Sequence, residues 1–379
     1  MKLNKKLSHL NESATIALNT EVQAMQKRGI KVLNLTAGEL DFETPKEIRE
    51  YVIGQMHRNK YTPTLGLPEL RTKIAEDVTK QYRWPVAGEN VAVTTGAKQA
   101  LYTVFQVILN TGDEVIIPTP TWVSYEYQVL LASGKSVFVP LTKEFDLDVN
   151  AIKKALTPKT KAVVVNSPHN PTGAVFSPKS LQALVKLLEG KNIFIIADDI
   201  YNSLLYTQEY KPITTYLKDK TYLVLISGFS KSHALTGWRI GYMVADAAII
   251  KGVNQIQGHA SGNTAIMSQL AALGSFDFHI TESFLKTLKK RKTIGEKILR
   301  TIPQVSFHSP LGAFYFFIDI RKIDTDSARF CERLLRETEV ALVPGEAFHA
   351  PGFIRVSFAC DEIILKEALQ RIKKFVANY

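Results

Sequence analysis

Cysteine is almost missing from this chain: Cys331 and Cys360 are the only two among 379 residues. Neither stands in a C-x-x-C pair or beside histidines at ligand spacing, so a disulfide framework and a structural zinc are both excluded as organising devices, and no metal site is expected. Long apolar runs are missing too. None approaches the ~20 residues of a membrane helix, and the opening MKLNKKLSHLN has no apolar stretch of the secretory kind; the expectation is a cytoplasmic chain with no membrane partner. No G-x-G-x-x-G follows a strand-like run, which argues against a nicotinamide dinucleotide. Repeats, low-complexity tracts and long disordered linkers are absent. Acidic residues are outnumbered, 36 against 47 Lys and Arg, for a formal charge of +11. The densest basic run, Lys286–Lys292, has Phe284, Leu285, Leu288 and Ile294 at helical spacing. It reads as one solvated helix face, so no nucleic-acid partner is expected.

With 45% apolar residues the chain can bury a large core and is long enough for two domains. Strand-like runs occur at Val91–Thr94, Glu114–Ile117, Ser136–Val139, Ala162–Val165, Ile193–Ile196, Tyr222–Ile226 and Ile240–Val244. They alternate with amphipathic stretches from Ile48 to about His279, the pattern of an α/β unit with a mostly parallel sheet and helices on both faces. A helical stretch from about Ile280 to Arg300 leads into strands Ala313–Ile318 and Phe353–Phe358 and helices near Ser327–Glu337 and Asp361–Ala377, a smaller α+β unit. The expected division is a large domain over 45–285 and a small domain formed by 1–44 with 286–379.

Polar motifs follow the predicted strands, and in an open parallel sheet the carboxyl ends of the strands are where ligands bind. The segment Ser227–Gly241 places Lys231 after an apolar strand and Arg239 eight residues on. A primary amine condenses with an aldehyde, and pyridoxal phosphate offers both an aldehyde and a phosphate for a nearby arginine. The plain alternative is a solvated loop lysine beside a structural arginine. Thr95–Ala100 runs through a Gly turn into a helix expected to start near Gln99, whose free N–H groups suit a phosphate. Asn166–Gly173 is a rigid loop that carries Asn170. Asp198, ahead of Tyr201, can hold a pyridinium N–H or simply cap a helix. Trp122 can stack on a flat ring or fill the core. Arg355 lies inside an apolar strand, where an unpaired charge is costly; it calls for a substrate carboxylate or an internal salt bridge.

Taken together these residues resemble the class I aminotransferases, fold-type I pyridoxal-phosphate enzymes, from about Leu7 to Val376. The resemblance rests on Gly228–Lys231 through Arg239–Gly241, Asn170–Gly173, Asp198 with Tyr201, Lys60–Tyr61 and Phe353–Ser357 in the family's order. Ser13–Asn19, Leu35–Phe42, Gly96–Leu101 and Trp122–Tyr125 are similar to the bacterial aspartate aminotransferase subgroup, which includes prephenate-accepting enzymes. The resemblance implies that Lys231 is the amine that meets the cofactor aldehyde and then shuttles the proton. It also implies that Asp198 pairs with the pyridine nitrogen, that Asn170 and Tyr201 bond the phenolic oxygen, and that Trp122 stacks on the ring. Gly96, Ala97, Ser230 and Arg239 would hold the phosphate, with Tyr61 arriving from a second copy, hence a homodimer with shared sites. Arg355 would bind the substrate α-carboxylate and Gly38 would line the pocket.

Several positions depart from the subgroup: Asp199 for Glu, His169 for Asn, Leu40 for Pro and Thr121 where Tyr often stands. None removes a group the reaction needs. Lys98 is the candidate second cation for the side-chain carboxylate of aspartate, but a flexible point charge also admits neutral or aromatic substrates. The expected activity moves the amino group of L-aspartate to 2-oxoglutarate by a ping-pong route. Aromatic, alanine or prephenate transamination and β-elimination are the alternatives. A cofactor-binding transcription regulator is set aside because the residues before Leu7 are too few for a DNA-binding domain.

Overall fold

The computed structural model describes residues 4–10, 14–208, 210–277 and 281–379. Ser13 of the N-terminal motif, and His279 and Ile280 at the expected junction of the two units, lie outside these. The strands are β1 (Leu33–Asn34), β2 (Val91–Thr94), β3 (Glu114–Thr119), β4 (Lys135–Pro140), β5 (Thr160–Asn166), β6 (Phe194–Asp198), β7 (Leu223–Gly228), β8 (Gly241–Val244), β9 (Ser306–Phe307), β10 (Tyr315–Asp319), β11 (Val340–Ala341), β12 (Val343–Pro344) and β13 (Phe353–Ser357). Seven of them form one sheet in the order β2-β8-β7-β6-β5-β3-β4. Only β8 runs against its neighbours; the other pairings are parallel. Every strand identified from the sequence is present, most of them shifted or extended by one or two residues.

These strands read as unbroken apolar runs because both faces of the sheet are covered. Alternate side chains enter different cores. Val163, Ile195, Leu225 and Val244 join a cluster under the helices Pro68–Tyr82, Pro178–Leu188 and Ile266–Ser275. Val164, Ile196, Val224 and Met243 join another under Gly96–Ile108 and Ala247–Ala260. The short side chains of Ser and Asp start several of these helices, with Asp148, Ser177 and Asp246 accepting first-turn N–H groups.

A second sheet, β12-β13-β10-β9, is antiparallel throughout and packs against the helices Thr281–Leu299, Ser327–Thr338 and Glu362–Ala377. Phe314, Phe316, Phe330, Leu365 and Leu369 fill its core. Leu33, Leu35 and Leu40 join this second core, and β1 pairs in parallel with β11, so the N-terminal segment returns to the C-terminal sheet. Both cysteines are free, and Cys331 is a buried core residue. Among the described residues no helix is long and apolar enough to cross a membrane.

Two expectations need correction. The helix after β2 begins at Gly96 rather than near Gln99. The Gln99 side chain instead accepts the Thr95 N–H at 2.5 Å, so it caps the first turn from inside. The basic helix is not uniformly solvated along its charged run. Its buried stripe is Phe284, Leu288, Arg291, Gly295 and Leu299, at spacings of four and three, and Arg291 belongs to it, while Leu285 and Ile294 are only partly buried.

Candidate active site

The carboxyl ends of β3, β5, β6 and β7 and the antiparallel β13 meet around one cavity of about 710 Å³. Lys231, Ala97, Lys98, Trp122, Asn170, Asp198, Tyr201, Ser230, Arg239, Gly38 and Arg355 all line it. Residues more than 300 positions apart in sequence therefore share one space, and the strand-end rule finds most of them.

Lys231 is bonded through Nζ to the Gly38 carbonyl and lies 5.9 Å from the Phe314 ring centroid. Burial pulls its pKa down to about 8; Glu39 opposes that shift, while Arg239 and Arg355 add to it. An amine with that pKa is roughly one-tenth unprotonated at pH 7, far more than a solvated lysine. A loop lysine in bulk water would show none of this.

Arg239 stands at φ 54 and Gly96 at φ 77. A Cβ built on Gly96 would lie 2.8 Å from Arg239 Nη2, so the glycine keeps open the approach of the guanidinium to the start of the helix Gly96–Ile108. A Cβ on Gly241 would lie 2.5 Å from the Ala97 N atom, which fixes the helix start against the strand. The result is a cation beside a helix N-terminus, with Ser230 on the same cavity wall, a donor set that fits a phosphate.

Asp198 caps no helix. Its Oδ2 accepts the Tyr125 hydroxyl at 2.6 Å and its Oδ1 the Ile200 N–H at 3.3 Å. Burial raises its pKa to about 6, against the pull of these two donors. A buried carboxylate held this way suits a protonated ring nitrogen. Asn166 ties the neighbouring loop to it, donating Nδ2–H to the Asp198 carbonyl at 2.8 Å and accepting the Asn170 N–H at 2.9 Å. Trp122 meets Tyr125 edge-on at 5.2 Å, and Lys98 Nζ lies 5.2 Å from the Trp122 ring. Burial, then the proximity of Arg239, lowers the pKa of Lys98.

Arg355 is 3% exposed. The salt-bridge alternative fails among the described residues: its Nη1 donates to Asn170 Oδ1 at 3.0 Å and its Nη2 to the Thr36 carbonyl at 2.8 Å, both neutral acceptors. The guanidinium lies 4.3 Å from the Tyr315 ring centroid and 5.0 Å from that of Phe348, and Nε has no partner. A buried cation with no counter-charge and an idle donor is a site for an anion. Tyr201 pairs with the Tyr315 hydroxyl at 3.0 Å beside it.

Two candidates stand apart. Gly96 sits behind the cavity wall and acts on it through Arg239. Tyr61 is 98% exposed and does not line this cavity. Sequence reasoning assigned no role to Tyr125, Asn166, Tyr315 or Glu39, although Tyr125, Asn166 and Glu39 stand inside quoted motifs. Thr20 and Gln23, on the helix Ala14–Lys27, also line the cavity and carry no local signal.

Known proteins share the sequence and the fold. The family model described as aminotransferase class I and II matches residues 30–372. An aspartate aminotransferase of Thermotoga maritima is 40% identical over 99% of both chains, and one of Bacillus subtilis is 39% identical over the whole of both. The crystal structure of the Thermotoga enzyme has a TM-score of 0.95 over 99% of this chain and 100% of its own. An aspartate aminotransferase from Thermus thermophilus with maleate, 35% identical, reaches 0.94 over 99% of both. The fold is that of the fold-type I enzymes. Matched nearly end to end in both sequence and fold, the chain belongs to the class I and II aminotransferases, enzymes that use pyridoxal 5'-phosphate to exchange amino groups between amino acids and 2-oxo acids.

Proposed function

We propose that the enzyme transfers the amino group of L-aspartate to 2-oxoglutarate in two half-reactions on one site. The observation that carries this reading is the pair of cations on one cavity: buried Arg355 without a counter-charge, and Lys98 beside Trp122. A dicarboxylate needs two such points. The relatives named aspartate aminotransferase, one of them a structure with maleate, support the same choice.

When bound, pyridoxal phosphate supplies an aldehyde and a protonated ring that accepts electrons from the substrate Cα. Lys231 would hold the aldehyde end and carry the proton at Nζ, first as base and then as acid; its lowered pKa suits both tasks. Asp198, fixed by Tyr125, would keep the ring nitrogen protonated. Asn170 and Tyr201 would bond the phenolic oxygen, and Trp122 would cover the ring. Ala97, Ser230 and Arg239 would hold the phosphate, with Gly96 giving Arg239 its approach to the helix start. Arg355 would clamp the α-carboxylate, with Asn170 and Gly38 beside it, and Lys98 would meet the distal carboxylate.

The reading includes a homodimer in the cytoplasm. Tyr61 at 98% exposure, with Ile53 at 66% and Met56 at 62% nearby, supports a surface that a second copy covers, bringing Tyr61 to that copy's phosphate site. The reading also includes a large domain over 45–285 and a small one of 1–44 with 286–379, with Ile200, Tyr201, Leu204, Ala234 and Phe284 of the larger part packing into the second core.

The test is the absorption spectrum of the cofactor-loaded enzyme during titration with single amino acids and no acceptor. Aspartate is expected to convert the aldehyde form of the cofactor to its amine form. Conversion by aromatic or neutral donors alone overturns the aspartate assignment.

A further inference from the structure

Arg291 lies in the basic run of the helix Thr281–Leu299, yet its side chain is only 7% exposed. Its Nη1 and Nη2 donate to the two oxygens of Asp41 at 2.6 and 2.8 Å, a fork on a carboxylate. The guanidinium also lies 5.3 Å from the centroid of the Phe42 ring, which stacks on Phe284 of the same helix at 4.3 Å and 6°. Asp41 and Phe42 are thus held to one helix by an ion pair and a ring stack on adjacent residues.

The rest of that segment is attached to the reaction centre. The Thr36 carbonyl accepts from Arg355 Nη2, the Gly38 carbonyl from Lys231 Nζ, and the Glu39 carboxylate from the Thr236 hydroxyl at 2.9 Å. Thr44 accepts the Trp238 indole N–H at 2.9 Å. One stretch of nine residues therefore touches both functional cations and the loop between Lys231 and Arg239. Arg291 is one of its anchors outside the cavity, beside Trp238 at Thr44. Nothing in the fold alone demands glycine at position 38: an added Cβ would meet only Tyr315 Oη at 3.5 Å, an ordinary contact. The space there belongs to the cavity shared with Lys231 and Arg355, and where the segment lies decides how large it is.

We infer that Arg291 is a positioning residue for the amino donor, acting through Asp41 and Phe42 to set the height of Gly38 and Thr36 against Lys231 and Arg355. This rests on the roles of Lys231 and Arg355 given above. The effect falls on donor binding more than on the proton transfer, because Lys231, Asp198 and the phosphate site are carried on other elements and the segment meets Lys231 through the Gly38 carbonyl.

The test compares Arg291→Leu, Asp41→Asn and the double variant as cofactor-loaded enzymes, measuring KM and kcat for aspartate, the visible spectrum and Tm. Removing Asp41 leaves the buried Arg291 charge unpaired and lowers Tm, whereas replacing both partners of this half-buried pair with neutral groups removes that penalty at little cost. All three variants are expected to raise KM about tenfold with kcat changed less than about threefold and the cofactor band unmoved, while Tm recovers in the double variant. A KM that returns with Tm in the double variant makes the pair merely structural and overturns the proposal. So does a KM that never moves, or a loss confined to kcat. Lys231→Ala run alongside separates the two readings: retained turnover there refutes the assignment of Lys231, whatever the Arg291 variants do.

Discussion

Replacing Arg355 with lysine isolates what the buried guanidinium contributes to substrate binding. Arginine offers five N–H donors in a planar fork, of which the structure commits one at Nη1 to Asn170 and one at Nη2 to Thr36, leaving Nε idle. A bound α-carboxylate would take the remaining donors as charge-assisted bonds. Lysine keeps the charge and fills most of the volume, but it is a point donor that cannot serve two carboxylate oxygens and two protein acceptors at once. Losing one charge-assisted bond costs about 1.5–3 kcal/mol. With every 1.4 kcal/mol worth a factor of ten, the expected fall in kcat/KM is roughly 10- to 150-fold. Alanine would be a poorer test, since it would also leave two buried acceptors unpaired. The assay is the rate of the first half-reaction with aspartate, alanine and phenylalanine, and with a primary amine that has no carboxylate. All three amino acids are expected to lose similar amounts, because they share the α-carboxylate, while the carboxylate-free amine changes little. If that amine suffers equally, Arg355 supports the fold or the cofactor and binds no substrate carboxylate. If no donor is affected, the anion-site reasoning is wrong.

Other predictions test the second cation and a buried acid. Lys98→Ala is expected to lower kcat/KM for aspartate by about tenfold or more while sparing phenylalanine and alanine, as steady-state kinetics with the three donors would reveal; an equal loss for all would assign Lys98 to the phosphate or the fold. Burial raises the pKa of Asp199 to about 7, with Tyr210 and Tyr82 pulling it down and Asp198 pushing it up. The folded apoprotein therefore holds more protons than the unfolded chain between about pH 4 and 7, so its stability falls as pH rises through that window, with Asp198 contributing up to about pH 6. Asp199→Asn is expected to flatten this slope in Tm measured across the range while keeping an acceptor for the Tyr210 hydroxyl, which lies 2.8 Å from Oδ2. An unchanged slope would show that Asp199 does not titrate there.

Much of the molecule was written locally in the chain. A strand covered on both faces must be apolar at successive positions, so runs such as Ala162–Val165 and Tyr222–Ile226 announced the sheet without reference to anything distant. Polar residues that interrupt those runs at the carboxyl ends stand out for the same reason, which made Asn170, Asp198, Lys231 and Arg239 legible as candidates. The charge of Arg355 was conspicuous because a strand interior tolerates no unpaired cation. Start positions were less visible: the helix at Gly96 begins where the Gln99 side chain folds back on the first turn and supplies the cap, a bond that composition does not reveal.

What tertiary structure alone decided was which distant groups meet. Tyr125 and Asp198 are 73 positions apart, and only the parallel order of β3, β5 and β6 brings the hydroxyl to the carboxylate. Arg291 was read as solvated because its neighbours are lysines, although its spacing from Phe284, Leu288 and Gly295 places it on the buried stripe; only the arrival of Asp41, 250 residues earlier, makes that burial tolerable. Thr20 and Gln23 became cavity walls because β1 returns the N-terminal segment to β11. Local pattern fixes which face of an element is apolar and where its chemistry ends up along the strand. The electrostatic state of Lys231, Asp198 and Arg355 depends on burial among residues from across the chain, and that exists only once the chain has folded.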